Sequence, residues 1–193
     1  MSETVLNLSR EEKKYLLTIA REAIATAFEG QQYVPPPPPT EKLKEHYGVF
    51  VTLTIDEKLR GCIGLVEGIK PLFEGVVDMA ISAAFEDPRF PPLQPDELPQ
   101  VVIEISVLSP LKRVQSADDI QVGKHGVLVQ SHGQRGLLLP QVAVEYGWDA
   151  EVFLSQTCVK ANLPGDCWQY PDTQIYIFSA EVFDEKDVLS KEP

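Results

Sequence analysis

Residues 48–65 carry the pattern of a β-hairpin, which constrains the fold more than any other part of the chain. The segment GVFVTLTI at 48–55 alternates in character and is rich in β-branched residues, as strands are. DEK supplies a turn, and LRGCIGL at 59–65 resumes as a second extended segment. Short turns join antiparallel strands, so we predict an antiparallel hairpin here.

The remaining elements mix helices with further strands and hairpins. SREE at 9–12 matches a capping box and begins an amphipathic helix over 10–29 that Gly30 closes. A second helix begins after Pro71, and a third follows Asp149 as its cap. Strand patterns occupy 101–110, 126–130, 136–139 and 173–183. This order predicts an α+β fold with a largely antiparallel sheet and flanking helices.

Length, charge and cysteine content bound the class of protein. The 193 residues fit a single domain over 1–193, and the formal net charge of -12 argues against nucleic acid as a partner, because phosphate contacts need clustered Lys and Arg. No secretory leader pattern or membrane-length apolar run is visible, so we expect a cytoplasmic protein that does not enter a membrane. The three cysteines are an odd number without a CxxC pair, which favours reduced thiols.

Five consecutive prolines interrupt the chain after the first helix. They lie within residues 34–40, which we interpret as a proline-rich surface linker held in polyproline II. Such a run is either a docking site for a proline-reading domain or a stiff spacer. Composition alone favours the spacer.

Six motifs in register resemble the AMMECR domain family, whose prokaryotic members are also called AmmeMemoRadiSam system protein A. They are LRGCIG, FEDPRFPPL, EISVLSP, HGVLV, GLLLPQVAVEYGW and FLSQTCVKANL followed by Trp168. The chain departs from the family at Asn162, where many relatives have Gly, and in the proline run. The resemblance implies a larger α/β part and a smaller part that form a cleft near Arg60–Gly64. It also implies partnership with a radical SAM enzyme and a Memo-like protein, but no established reaction.

Arg60 and Cys62 are the strongest candidates for a site. Alternate residues of a strand share a face, so these two side chains are predicted to be neighbours. A guanidinium beside a thiol favours the nucleophilic thiolate, and Gly61 and Gly64 would let a substrate approach the backbone. The alternative is that Cys62 is a small packed hydrophobe and that the glycines serve a bulge or close packing.

Glu104 and His125 are further catalytic candidates. Glu104 interrupts an apolar strand on the face of Val102 and Ser106, where it is either half-exposed or, if covered, paired with a cation such as Arg60. His125 stands before a strand and could act as a general base, although lone histidines are more often structural. The sequence around His132 is typical of an exposed turn, so we assign this residue no catalytic role.

Gln141 and Lys160 complete the predicted substrate-binding set. Lys160 lies two residues after Cys158, so the two cannot share a helix face, and placement near a helix C-terminus explains Lys160 equally well. Asp87 and Arg89 in DPRF favour a structural brace over substrate binding. No zinc spacing, P-loop or dinucleotide loop is visible, so we expect neither a metal nor a cofactor.

Two hypotheses of function remain, and the sequence does not decide whether the chain is an enzyme. The first is an enzyme or substrate-handling component that acts on a small molecule or peptide at Cys62, Arg60, Glu104 and His125. It predicts a Cys62 thiol with a lowered pKa. The second is a non-catalytic adaptor that binds a protein through its apolar and proline-rich loops.

Overall fold

Helix α1, Arg10–Phe28, begins and ends where the sequence predicts in the computed structural model, which describes residues 6–190. Its capping box is complete, because Ser9 accepts from the N–H of Glu12 while the Glu12 carboxylate accepts from the N–H of Ser9. Gly30 follows the helix with a φ of 67°, a left-handed conformation that favours glycine.

The described residues hold five α-helices and seven strands, which confirms the α+β class. The described residues divide into two compact units, the first formed by residues 6–108 and 181–190, the second by residues 109–180. The strands are β1 (Gly48–Ile55), β2 (Lys58–Leu65), β3 (Val102–Leu108), β4 (Lys112–Val114), β5 (His125–Ser131), β6 (Gln134–Leu138) and β7 (Gln174–Asp184). The other helices are α2 (Leu72–Phe85), α3 (Pro140–Tyr146), α4 (Ala150–Lys160) and α5 (Glu185–Leu189).

The first unit is built on the predicted hairpin. β1 pairs antiparallel with β2 on one side and with β3 on the other. Asp56 and Glu57 both have positive φ, as the two central residues of a type I′ hairpin turn require. One face of this sheet, with Val51, Leu53 and Ile105 fully buried, joins α1 and α2 in the hydrophobic core. The opposite face is therefore the one left for polar residues.

The second unit has a sheet and core of its own. β7 pairs antiparallel with both β4 and β5, and β5 pairs with β6 as the predicted hairpin. Helix α4 begins at the predicted cap, where Asp149 accepts from the N–H of Val152. Phe153 and Leu154 of this helix pack into a core with Val127 and Val129 of β5. Among the described residues, no helix combines the length and apolar character needed to cross a bilayer.

The expectation of three reduced thiols is wrong. Cys158 in α4 and Cys167 form a disulfide, with Cα atoms 6.0 Å apart, and Cys62 is the free cysteine. The pairing arises because NLPGD ends the helix and turns the chain back, so that Cys167 returns to the helix that carries Cys158. Both cysteines are buried in the core of the second unit.

We predict that this disulfide stabilises the second unit by about 2–3 kcal/mol, because closing a short loop restricts the unfolded chain. Denaturant unfolding with and without reductant measures the difference. Alkylation of the denatured, unreduced chain should label one cysteine, and three after reduction. A Cys62→Ala variant is the control, since its stability should respond to reductant as the parent does. Three labels without reductant would contradict the pairing.

Candidate functional site

Cys62 lies in a row of polar side chains that crosses three strands. In the register of the sheet, Cys62 of β2 stands opposite Thr52 of β1, and Thr52 stands opposite Glu104 of β3. Directly opposed residues share a face, so the three side chains are neighbours on the face away from α1 and α2. The Thr52 hydroxyl donates to Cys62 Sγ at 3.2 Å. We call this set the thiol row.

A β-bulge sets Arg60 apart from the thiol row. Leu53 stands opposite Gly61 and Thr54 opposite Leu59, which leaves Arg60 as the extra residue. Its guanidinium donates to both carboxylate oxygens of Glu97, at 2.9 and 3.0 Å, and to the carbonyl of Pro91. Strict alternation predicted Arg60 as the guanidinium beside the thiol and, for a covered Glu104, as the cation that pairs with it, but the carboxylate that holds Arg60 is Glu97.

The guanidinium that acts on Cys62 belongs to Arg89. Asp87, only 4% exposed, accepts from the N–H of Cys62 at 2.9 Å and from Arg89 through its backbone N–H, Nε and Nη2. Arg89 also donates to the carbonyl of Cys62 at 3.4 Å. The bracing interpretation of DPRF is therefore confirmed. The brace holds both polar groups of the Cys62 backbone, which the sequence did not predict.

The protein's own atoms fill the space beside both glycines of the motif. A Cβ on Gly61 would collide with the carbonyl oxygen of Ala83 near the end of α2, and one on Gly64 would collide with the ring of Phe50. At both positions the glycine backbone is thus approached closely by atoms of the protein itself, as the close-packing alternative predicted. Their role in binding a substrate stays a prediction.

Burial is the main influence on the pKa of the Cys62 thiol. The pKa of Cys62 is raised, with removal of the thiol from water as the main cause and the carboxylates of Asp87 and Glu104 adding to it. The hydrogen bond from Thr52 and the charge of Arg89 act in the opposite direction without prevailing. The sequence hypothesis of a lowered pKa is therefore wrong, because it counted a nearby cation but not the loss of hydration.

Glu104 is half-buried, on the face predicted from alternation with Val102 and Ser106. Three other predicted residues belong to the second unit. His125 is buried there, and its Nδ1 accepts from the N–H of Gln121 at 3.0 Å. Gln141 lies half-buried in α3, and Lys160 is exposed at the end of α4, where Cys158 of the same helix is buried. Within residues 6–190, no cluster of three or more His, Cys, Asp or Glu is arranged for a metal.

Comparison with known proteins identifies the family. The AMMECR1 family profile matches residues 17–183. This chain belongs to the AMMECR1 family. Protein MK0488 of Methanopyrus kandleri is 48% identical, with 93% of this chain and 91% of that protein covered. A Methanothermobacter thermautotrophicus protein is 47% identical, with 92% and 96% covered.

A solved structure supports the fold of this AMMECR1 chain. The crystal structure of the uncharacterised protein PH0010 from Pyrococcus horikoshii matches with a TM-score of 0.88 and 42% identity. The match covers 93% of this chain and 94% of PH0010. The fold is thus shared with an experimental structure, while the chemistry of the site must come from its residues.

We predict that Asp87→Asn lowers the free energy of unfolding by about 1–3 kcal/mol at pH 7, because the buried carboxylate holds two backbone N–H groups and Arg89. Arg89 lowers the pKa of Asp87 well below its usual range, so the stabilisation is complete above the unfolded pKa of about 3.9. It is lost as the pH falls toward the folded value.

Urea unfolding at several pH values checks this prediction. The difference between parent and Asp87→Asn should stay constant from about pH 7 to 5 and shrink below about pH 4. Asp96→Asn, at an exposed position of the same segment, is the matched control and should leave the curve unchanged. A difference that persists unchanged to low pH would contradict the assignment of the charge to Asp87.

We also predict that Cys62 alkylates with a pH midpoint above the usual thiol value of about 8.5, because burial raises its pKa. As the other two cysteines form the disulfide, iodoacetamide reports Cys62 alone. Thr52→Val should raise the midpoint further by removing the hydrogen bond to Sγ. Thr54→Val is the control, since Thr54 stands opposite Leu59. A midpoint below the usual value would restore the thiolate hypothesis.

Proposed function

We propose that this AMMECR1 protein is a substrate-handling component that binds a small polar molecule or peptide at the thiol row. The partners we propose are the radical SAM enzyme and the Memo-like protein that the family resemblance implies. In this proposal Cys62 is a neutral recognition group rather than a resting nucleophile. Binding, not attack by a thiolate, is the first task of the site.

The observation that carries the proposal is the double hold on the Cys62 backbone. Its N–H is bound by the buried carboxylate of Asp87 and its carbonyl by Arg89, while its side chain stays partly accessible. Keeping an ionised carboxylate away from water is costly unless strong hydrogen bonds compensate. Here the Asp87 carboxylate positions the backbone of a single residue, Cys62. This arrangement favours a role in which the position of the Cys62 side chain matters.

The groups of the thiol row and its surroundings suit a polar ligand. Glu104 offers carboxylate oxygens to a hydrogen-bond donor or a cation, and Thr52 offers a hydroxyl. The Arg89 side chain, which is 54% exposed, offers a cation beside the Cys62 carbonyl of β2. A neutral thiol can donate weakly and makes soft contacts with sulfur or apolar groups. Together these groups favour a ligand with both a cationic or donor group and a polar anionic or carbonyl group.

Ligand screening tests the proposal. The probes are S-adenosylmethionine, S-adenosylhomocysteine, adenine nucleotides and dipeptides, and the readouts are the melting temperature and protection of Cys62 from alkylation. We expect one class to raise the melting temperature and to slow alkylation, because a bound ligand stabilises the native state and covers the row.

Variants make the result specific to the site. Glu104→Gln should weaken the ligand about tenfold or more through the lost charge-assisted hydrogen bond, whereas Thr54→Val should not. A ligand that raises the melting temperature without protecting Cys62 would place binding elsewhere. Failure of every probe to do either would contradict the proposal.

A further inference from the structure

Residues 34–40, VPPPPPT, which we call the proline strip, show an exposure pattern with a period of three. Pro35 and Pro38 are half-buried, whereas Pro36, Pro37 and Pro39 are exposed. Polyproline II has three residues per turn, so positions three apart lie on one edge of the helix. One edge of the strip therefore rests on the protein. Two edges face outward, one through residues 34 and 37 and the other through residues 36 and 39.

Three hydrogen bonds between α1 and the strip or its flank hold the strip in place. Tyr15 donates its hydroxyl to the carbonyl of Pro36 at 2.6 Å, and Tyr33 donates to Glu22 at 2.6 Å. Thr40 donates to Glu12, the buried carboxylate of the capping box, at 2.5 Å. The strip is thus fixed at its start, middle and end, and its extended conformation is set before any partner binds.

A pocket lies beside the strip. Its volume is about 320 Å³, and it lies between the start of the strip and helix α2. Val34, Pro35, Phe73 and Val77 supply its apolar lining, and the exposed Glu74 stands at its rim. Val34 is 78% exposed, although it is a large apolar residue. Val34 thus adds an exposed apolar side chain to the lining of this pocket.

We propose that the proline strip docks into an aromatic-lined groove of a partner protein, which grips the outward edges and inserts a side chain into the neighbouring pocket. Such grooves recognise polyproline II helices by their exposed proline edges, and they gain from a ligand that is already ordered. The rim of the partner's groove is basic, because the pocket is lined by two carboxylates, Glu74 and Asp78, against one cation, Lys70, and the whole chain has a net charge of -12. This site is independent of the thiol row.

A stiff spacer and a docking strip make different demands on the prolines. A spacer needs a rigid backbone, to which every proline contributes alike. A docking strip needs the rings of its outward edges, whereas Pro38 of the inward edge rests on the protein and lies outside the pocket lining. The period of three therefore provides two matched variants, Pro36→Ala for an outward edge and Pro38→Ala for the inward edge.

The experiment titrates purified SH3, WW and EVH1 domains with the intact chain and follows the fluorescence of groove tryptophans in each domain. We expect at least one domain to bind. Pro36→Ala should weaken its binding about tenfold, and Pro38→Ala should leave it within about threefold. Glu74→Lys should weaken a domain with a basic rim. A free peptide of residues 33–41 should bind less tightly than the chain, because it must be ordered on binding.

Contrary results overturn the proposal. No binding by any domain up to about 1 mM, or equal losses for Pro36→Ala and Pro38→Ala, would leave the strip a spacer. Equal affinity of the free peptide would overturn the claim that the fold presents the strip in an ordered state. Melting temperatures of the variants establish that they are folded. If Pro36→Ala unfolds, Pro39→Ala, at the other residue on the same edge, makes the same comparison with Pro38→Ala.

Discussion

The ionised carboxylate of Asp87 is the interaction on which the site depends. Burial opposes its ionisation, but Arg89 and two backbone N–H groups hold its pKa low, so it stays charged in a place where water cannot solvate it. It ties the segment that follows α2 to the edge strand β2. The fit of Gly61 against the Ala83 carbonyl adds a second tie between the same elements. The backbone of Cys62 is thereby positioned by the end of a helix as well as by its own strand.

Two arginine–carboxylate pairs, Arg60 with Glu97 and Arg89 with Asp87, contact strand β2 and have different roles. The Arg60 side chain is 13% exposed, and its guanidinium donates hydrogen bonds to Glu97 and to the Pro91 carbonyl. Arg89 pairs with Asp87, yet its side chain stays 54% exposed. Phe90 lies between them, with its ring 6.0 Å from the Arg60 guanidinium and 5.6 Å from that of Arg89. Arg60 thus fixes the segment, whereas Arg89 both fixes it and presents a cation to solvent.

Local patterns predicted the elements of this fold, because caps, turns and hydrophobic periods act within a few residues. The capping box at Ser9, the hairpin turn at Asp56 and the face of Glu104 all follow from such rules. The site was predicted less well. The bulge at Arg60 removes the alternation on which its placement rested, and the Asp87 contact joins residues 25 positions apart that no spacing rule relates. The disulfide was missed because pairing depends on how the chain turns after α4, which the number of cysteines does not reveal.

The neutral state of the thiol also bears on what a bound ligand does. A ligand that covers the thiol row removes more water from Cys62, and further desolvation raises the pKa of a thiol. A neutral or anionic ligand therefore moves the site away from a thiolate, and the act of binding disfavours nucleophilic attack. A cationic ligand placed beside Glu104 has the opposite effect, since it neutralises one of the carboxylates that raise the pKa and adds a charge that favours the thiolate. In the proposed function, the charge of the ligand would thus decide whether Cys62 remains a neutral recognition group or becomes able to react.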